Sequence, residues 1–342
     1  MKPIERVMAA AELRVADRIP VVLVTREFGI KYSGYKFSDC LRDENLYIKS
    51  QMRCLEDFEL DALWDLWAIP VIAEALGSQL RVLDDDIPAI TEPYAISEPK
   101  DLKKLAQKDL DVRKDGRMPY MLNLVKKMKE AAGDDIPVTG WVSTPFRTAC
   151  MLRGIDTFYK DLFRNPTFAE ELLEFALRYC ILYGHAMIES GADIITTSNP
   201  VASAGCISRE HYKRFSFPYE KEMIANLKKK GAKIQYHTCG DWNDRYDLIV
   251  ETGIDILHPD KIDLKQFKKD FGTKVCIMGS VPAVNTMLLG SPEEVAEITR
   301  KSIDWAGQGG GYMVSADCAL PRDTPAENVK AMADTAKEYG KY

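Results

Sequence analysis

Short continuous apolar runs alternate along this chain with longer stretches whose apolar residues recur every three or four positions. A β-branched run marks a strand covered on both faces, and the wider spacing marks a helix with one buried side. Residues 4–15 read as an opening helix, and Pro20-Val21-Val22-Leu23-Val24 as the first of eight strands. The others are expected at 61–66, 137–142, 192–197, 232–237, 254–258, 274–278 and 311–316. Helices are expected over 43–58, 119–132, 155–190 with a break at Asn165-Pro166, 207–231, 243–252, 264–271, 292–306 and 325–339. Gly191, Gly231, Gly253 and Gly272 each stand between a helix and the next strand, the usual stop signal. Residues 25–39, with Gly29, Gly34, Tyr32 and Tyr35, read as a long loop of the kind that serves a site. Residues 70–120, broken by prolines and acidic residues, read as an insertion with short strands and a brief helix start at 97–105.

Eight strands separated mostly by helices predict an α/β fold, a (β/α)8 TIM barrel, formed as one domain over 1–342. It carries an N-terminal helical extension and the insertion after the second strand. A doubly wound open sheet is the alternative. The barrel is preferred because Asn199, His237, Cys239, His258, Ser280, Asp317 and Cys318 all fall at C-terminal ends of strands. In a barrel those ends meet at one mouth.

Composition narrows the function. A chain of 342 residues with a net charge of −6 and both signs mixed gives no support to nucleic-acid binding. The first twenty residues carry Glu5, Glu12 and Asp17 and lack the apolar centre of a signal peptide. No apolar run approaches membrane-spanning length, so a cytoplasmic location is expected. Eight cysteines scattered through such a chain fit reduced thiols better than a disulfide framework.

Two of those cysteines have a different reading. In Ile234-Gln235-Tyr236-His237-Thr238-Cys239-Gly240 a strand runs into His237 and Cys239, two apart and so pointing the same way. Imidazole and thiolate both suit Zn2+, and Cys318 at the end of the last strand is the best third partner. Three protein ligands leave a tetrahedral zinc one open position, as in catalytic sites. A lone His or buried Cys at a strand end is usually structural, so spacing alone leaves zinc and packing evenly matched. His185 and His211 lie in helical patterns and read as packing or surface residues. His258 is an alternative ligand or a polar pocket residue, and Cys276, inside a strand, reads as core.

Several stretches resemble the uroporphyrinogen decarboxylase superfamily, specifically its cobalamin-dependent methyltransferase branch. They are GADIITTSNPVAS at 191–203, the His-x-Cys-Gly of 237–240, MGSVPAVNTMLLGSPEEV at 278–295, CALPRDTPAENVKAM at 318–332 and MLRGIDTFYKDLFRNP at 151–166. The likeness covers 138–339 well and the N-terminal third loosely. It implies zinc held by His237, Cys239 and Cys318, and a cobalamin carried by a separate corrinoid-binding protein. The porphyrinogen decarboxylases themselves use an Arg-Gln-Ala-Gly-Arg pattern near the N-terminus and an acidic residue after strand four. Here only Arg26 stands near the first strand, and Ser198-Asn199-Pro200 follows strand four, which disfavours a decarboxylase. Coenzyme M methyltransferases typically read Gly-Cys-Gly-Ile around the third ligand, whereas this chain reads Asp317-Cys318-Ala319-Leu320.

Such a zinc serves two chemistries. It stabilises the oxygen leaving a methyl ether while cob(I)alamin takes the methyl group, or it lowers the pKa of a thiol that attacks methylcobalamin. Tyr32, Tyr35, Trp64 and Trp67 fall near the first two strand ends. Each alone reads as packing, but together they would stack on a ring. The favoured expectation is therefore demethylation of a methyl ether, with an aromatic ether as the finer reading and Asn199, His258 and Ser280 reading its substituents. The thiol methyltransferase is the first alternative. A decarboxylase-like enzyme and a zinc-stabilised binding scaffold follow.

Overall fold

The computed structural model describes residues 1–66, 70–84 and 87–342. Trp67 lies outside them. A small antiparallel hairpin, β1 (Gln79–Arg81) and β2 (Ala89–Thr91), accounts for the short strands of the insertion. The main sheet follows: β3 (Thr139–Trp141), β4 (Ile194–Ser198), β5 (Lys233–Thr238), β6 (Ile256–Pro259), β7 (Cys276–Met278) and β8 (Tyr312–Met313). Its strands pair in chain order and all in parallel.

Two extended segments close the ring. Val21 bridges Val314 next to β8, and Leu63 bridges Val138 next to β3, both in parallel. The Val22 N–H donates to Val314 O at 2.9 Å, and the Thr139 N–H to Leu63 O at 3.0 Å. The segments join each other at Asp61, whose N–H donates to Val21 O at 2.9 Å while its Oδ2 accepts from the Val21 N–H at 2.7 Å. Eight positions therefore encircle one lumen, the expected (β/α)8 barrel. The expected strands at 20–24 and 61–66 are single bridges rather than ladders. Between these two segments the Asp61 side chain accepts where a neighbouring carbonyl would otherwise do so.

Alternation along the staves sorts two cores. Val24, Trp64, Trp141, Ile194, Ile256 and Met278 turn inward and fill the lower lumen. The first helix, Pro3–Ala11, adds Val7, Ala10 and Ala11 to the same cluster and stoppers the end opposite the mouth. A second, continuous core lies between the staves and the outer helices. Cys276 is in the lumen core, as expected of a packing residue.

Several expectations need correction. Residues 25–39 are not a loop but contain helices Arg26–Tyr32 and Phe37–Cys40. Gly29 is there for close approach: a Cβ would meet the Gln51 side-chain nitrogen at 2.7 Å on the facing helix Glu44–Phe58. A helix absent from the expected set, Pro145–Arg153, begins directly beyond β3, with the Thr144 hydroxyl accepting from the Arg147 N–H at 3.3 Å. The helix expected over 207–231 splits into Arg209–Phe215 and Phe217–Lys228 around Ser216. Gly191, Gly231 and Gly253 adopt left-handed backbone, but Gly272 ends its helix in right-handed conformation with φ −64°. Among the described residues no helix is long and apolar enough to cross a membrane.

Candidate metal centre

β5 presents alternate faces to two environments. Tyr236 turns outward, where its hydroxyl donates to Glu220 Oε1 at 2.9 Å. Glu220 is fully buried and also accepts from Asn199 Nδ2 at 2.7 Å, Ser216 Oγ at 3.0 Å and Tyr212 OH at 2.6 Å. Burial raises its pKa above the usual carboxylate range despite those donors. This knot ties β4, β5 and helix Phe217–Lys228 together and fixes the face that turns the other way. On that face are Gln235, His237 and, just past the strand, Cys239. Gly240 then turns the chain at φ +93°, and its N–H donates to Asp260 Oδ2 at 3.1 Å. The Trp242 indole N–H holds the Cys239 carbonyl at 3.0 Å. Beyond β8, Asp317 anchors the Cys318 loop by accepting from the Ala283 N–H at 2.9 Å.

These supports bring His237, Cys239 and Cys318 together, with one ligand atom of each within 4.8 Å of the others. Cys318 Sγ lies 3.5 Å from His237 Nε2. His237 Nδ1 lies 2.9 Å from the His258 carbonyl oxygen. A carbonyl only accepts, so Nδ1 carries the proton and Nε2 keeps its lone pair on the side of the two sulfurs. That is the usual orientation of a metal-ligating histidine. The Cys318 thiol, then His237, hold the Cys239 thiol well below its ordinary pKa. The same contact, with burial, drives Cys318 upward. Two thiols this close behave as one acid that gives up its first proton easily and its second only to a cation.

The geometry fits zinc. Tetrahedral bonds of about 2.3 Å to sulfur and about 2.0 Å to nitrogen require S···N separations of about 3.5 Å. His237, Cys239 and Cys318 would hold the ion with one position left open. Among the described residues this is the one group of three or more His, Cys, Asp or Glu side chains close enough to share a metal.

The other predicted site residues are dispersed. Asn199 is fully buried and spent on Ser216 and Glu220. His258 packs its ring 4.6 Å from that of His237 and donates from Nε2 to Ala316 O at 2.8 Å. Burial first, then the neighbouring His237, hold its pKa well below that of a free imidazole, and it stands outside the group of side chains close enough to share a metal. Ser280 lines a cavity of about 620 Å³ beside Cys318, with Asp260, Lys261 and Asp317. Tyr35 lines a separate cavity of about 530 Å³ with Lys31, Phe37 and Arg322. Tyr32 stacks on Phe28 at 5.6 Å, under the Arg53 guanidinium at 4.4 Å, and its hydroxyl donates to Asp57. Trp64 is buried in the lumen core. The structure does not bring Tyr32 and Trp64 together.

One residue at the mouth escaped the sequence reading. Arg147, in the first turn of helix Pro145–Arg153, reaches across to β4, where Nη1 donates to Ser198 Oγ at 2.9 Å. Ser198 is the register partner of His237. The Ser143-Thr144-Pro145 start signal just after a strand was the clue to that helix. The side chain's destination had no sequence signal.

Residues 2–339 match the family model described as uroporphyrinogen decarboxylase (URO-D). The chain is 27% identical over 341 residues to the methylcobamide:CoM methyltransferase MtbA of Methanosarcina mazei, covering 98% of both chains. It is 26% identical over 345 residues to the methylcobamide:CoM methyltransferase MtaA of Methanosarcina barkeri, covering 98% of this chain and 97% of the relative. A solved structure described as a methyltransferase from Methanosarcina mazei superposes with a TM-score of 0.89 at 25% identity, covering 99% of each chain. The chain therefore belongs to the uroporphyrinogen decarboxylase family and, within it, to the corrinoid methyltransferase branch.

Proposed function

We propose that this methyltransferase moves a methyl group from the methylcobamide of a separate corrinoid protein onto the sulfur of a small thiol. The observation that carries the reading is the cluster of two cysteines and one histidine at the barrel mouth. Zinc held by His237, Cys239 and Cys318 would supply one thing, a lowered pKa for a thiol at that position. The chain's own residues do the rest. The His258 carbonyl fixes the His237 tautomer, and the buried lumen beneath keeps bulk water away from one side of the sulfur. In the transfer a sulfur–carbon bond forms, the cobalt–carbon bond breaks with its electron pair left on cobalt, and the thiol proton leaves to solvent. The relatives' names support a thiol acceptor, which was the alternative reading from sequence. The methyl ether first favoured there rested on an aromatic cluster, of which Tyr32 stacks on Phe28, Trp64 packs in the lumen core and Trp67 lies outside the described residues.

The test uses zinc-loaded protein and methylcobalamin standing in for the partner's cobamide. Thiols such as 2-mercaptoethanesulfonate and 2-mercaptoethanol are added, and loss of the methylcobalamin spectrum is followed. Zinc-dependent formation of the thioether supports the reading. If no thiol is methylated while methoxylated arenes convert cob(I)alamin to methylcobalamin, the ether reading replaces it.

A further inference from the structure

The three ligand candidates stand on two separate pieces of backbone. His237 and Cys239 belong to β5 and its exit, Cys318 to the loop beyond β8. β6 and β7 lie between those strands. The distance from the imidazole to the second sulfur therefore depends on what fixes one piece against the other. His258, turned inward on β6, touches both. Its carbonyl accepts from His237 Nδ1 at 2.9 Å, and its ring donates from Nε2 to the Ala316 carbonyl, two residues before Cys318, at 2.8 Å.

The backbone around Ala316 shows why a side chain is needed there. On the edge of β8 that faces the first stave, Val314 O accepts from the Val22 N–H at 2.9 Å. Carbonyls on one edge of a parallel pair accept at every second residue, so Ala316 O is next in line. Among the described residues no backbone N–H donates to it, and the two segments meet again where the Leu320 N–H reaches Val24 O at 3.0 Å. Ala316 is fully buried, and a buried carbonyl left open is costly. The His258 N–H fills that place. β7 leaves the lane clear at Gly279, where a Cβ would lie 3.7 Å from Ala316 O and 3.9 Å from the His258 ring.

The ring is suited to direction more than to packing. It lies 4.6 Å from the His237 ring at 42°, and with Nε2 committed as donor, Nδ1 carries a lone pair that finds no partner among the described residues. An apolar side chain of similar size would fill the space without that open acceptor. What the imidazole adds is an N–H at the reach of Ala316.

We propose that the His258 side chain is a positioning residue, a strut across the barrel that holds Ala316, and through it Cys318, at ligand distance from His237 and Cys239. It touches neither the ion nor the methyl acceptor. Losing its N–H frees the Ala316 carbonyl to turn toward the first stave, and the Cys318 loop moves with it. The inference rests on the three-ligand metal centre and is independent of which acceptor is methylated.

The test loads the zinc-free full chain with Co2+. Its sulfur-to-metal charge-transfer band scales with the number of thiolates bound, and its visible bands report tetrahedral geometry. Cys318→Ala supplies the one-thiolate reference. His258→Met fills the space but has no N–H. His258→Gln carries an amide N–H out to the place of Nε2, and His258→Asn carries the same amide one methylene short. His258→Met and His258→Asn should lose about half of the charge-transfer band and bind zinc about 10- to 100-fold more weakly in competition with a chromophoric chelator, while His258→Gln recovers most of both. Circular dichroism and thermal melting of each variant separate a displaced loop from an unfolded barrel, and the comparison of Asn with Gln stands if the Met variant does not fold. A folded His258→Met or His258→Asn protein with the full two-thiolate band and wild-type zinc affinity refutes the strut. So does a His258→Gln protein that falls as far as His258→Asn, since the site then needs the imidazole and not its N–H. Wild-type protein that binds neither ion overturns the three-ligand centre, and the strut with it.

Discussion

At the scale of single residues, the three ligand candidates differ in how they are held. His237 is fixed by the His258 carbonyl at 2.9 Å and by the rigid β5 ladder. Cys239 sits one residue beyond the last paired position, and Cys318 lies in a loop anchored by Asp317. A three-ligand site that loses one ligand drops to two, too few to retain zinc against a chelator. Purified protein is expected to carry about one zinc per chain. His237→Ala, Cys239→Ala and Cys318→Ala should each fall well below half of that after dialysis against a mild chelator, with the circular dichroism spectrum unchanged. Full zinc retention in Cys318→Ala, read by atomic emission, would remove Cys318 from the site. The pairing of His237 with Cys239 was legible because a period of two on a strand end needs no knowledge of the fold. The reach of Arg147 to Ser198 and the inward-facing polar atoms of Thr196 and Gln235 were not. A single polar residue inside an apolar strand acquires meaning only from its register with neighbouring strands, and register is a property of the sheet.

At the scale of elements, the staves from β3 to β8 were legible because each is a short run rich in apolar or β-branched residues between helical stretches. The missed helix Pro145–Arg153 follows β3 after three residues, too soon for the hydrophobic period to change visibly. The segment 61–66 has the pattern of an ordinary strand, yet its two aspartates do unusual work. Asp65 is fully buried and its Oδ2 accepts from the Trp141 N–H at 2.8 Å. Burial outweighs that bond and pushes the Asp65 carboxyl up to about 7, against about 3.9 for a free side chain. Below pH about 4 both folded and unfolded chains hold this proton. Between about 4 and about 7 the unfolded chain releases it and the folded chain does not, so this group lowers stability as pH rises. The cost reaches at most about 4 kcal/mol above pH 7. Asp65→Asn keeps an oxygen for the Trp141 N–H and cannot ionise. Its urea midpoint, relative to wild type, should therefore climb between pH 4.5 and 7.5. Two curves that stay parallel across that range would mean Asp65 ionises normally in the folded protein.

At the scale of the whole molecule, the barrel is not closed evenly. Six staves share ladders, but the first two meet their neighbours through single bridges and meet each other through Asp61. Asp61 is 1% exposed and accepts from the Val21 N–H, from Arg6 Nη1 at 2.7 Å and from Arg18 Nη1 at 2.8 Å. Arg6 belongs to the helix that stoppers the lumen, so one carboxylate ties the plug to the seam. Its attraction to two guanidiniums is offset by the cost of burying all three charges, and the net gain of the intact cluster is small. Removing the carboxylate is another matter. Arg6 would be left 8% exposed on its side chain with Asp17 as its remaining carboxylate partner, and the Val21 N–H would lose its acceptor. Asp61→Ala is expected to cost about 3–5 kcal/mol. Asp61→Asn, which keeps an acceptor for Val21, should cost less. Because the ladders of β4 to β6 do not depend on Asp61, the loss should be local before it is global. Hydrogen exchange should quicken first at the amides of Val21, Val22 and Val314, which bond across the seam, while those of Tyr236 and Leu257 stay protected. Equal acceleration at all of them would mean that the barrel opens as one unit and that Asp61 stabilises it without guarding its seam.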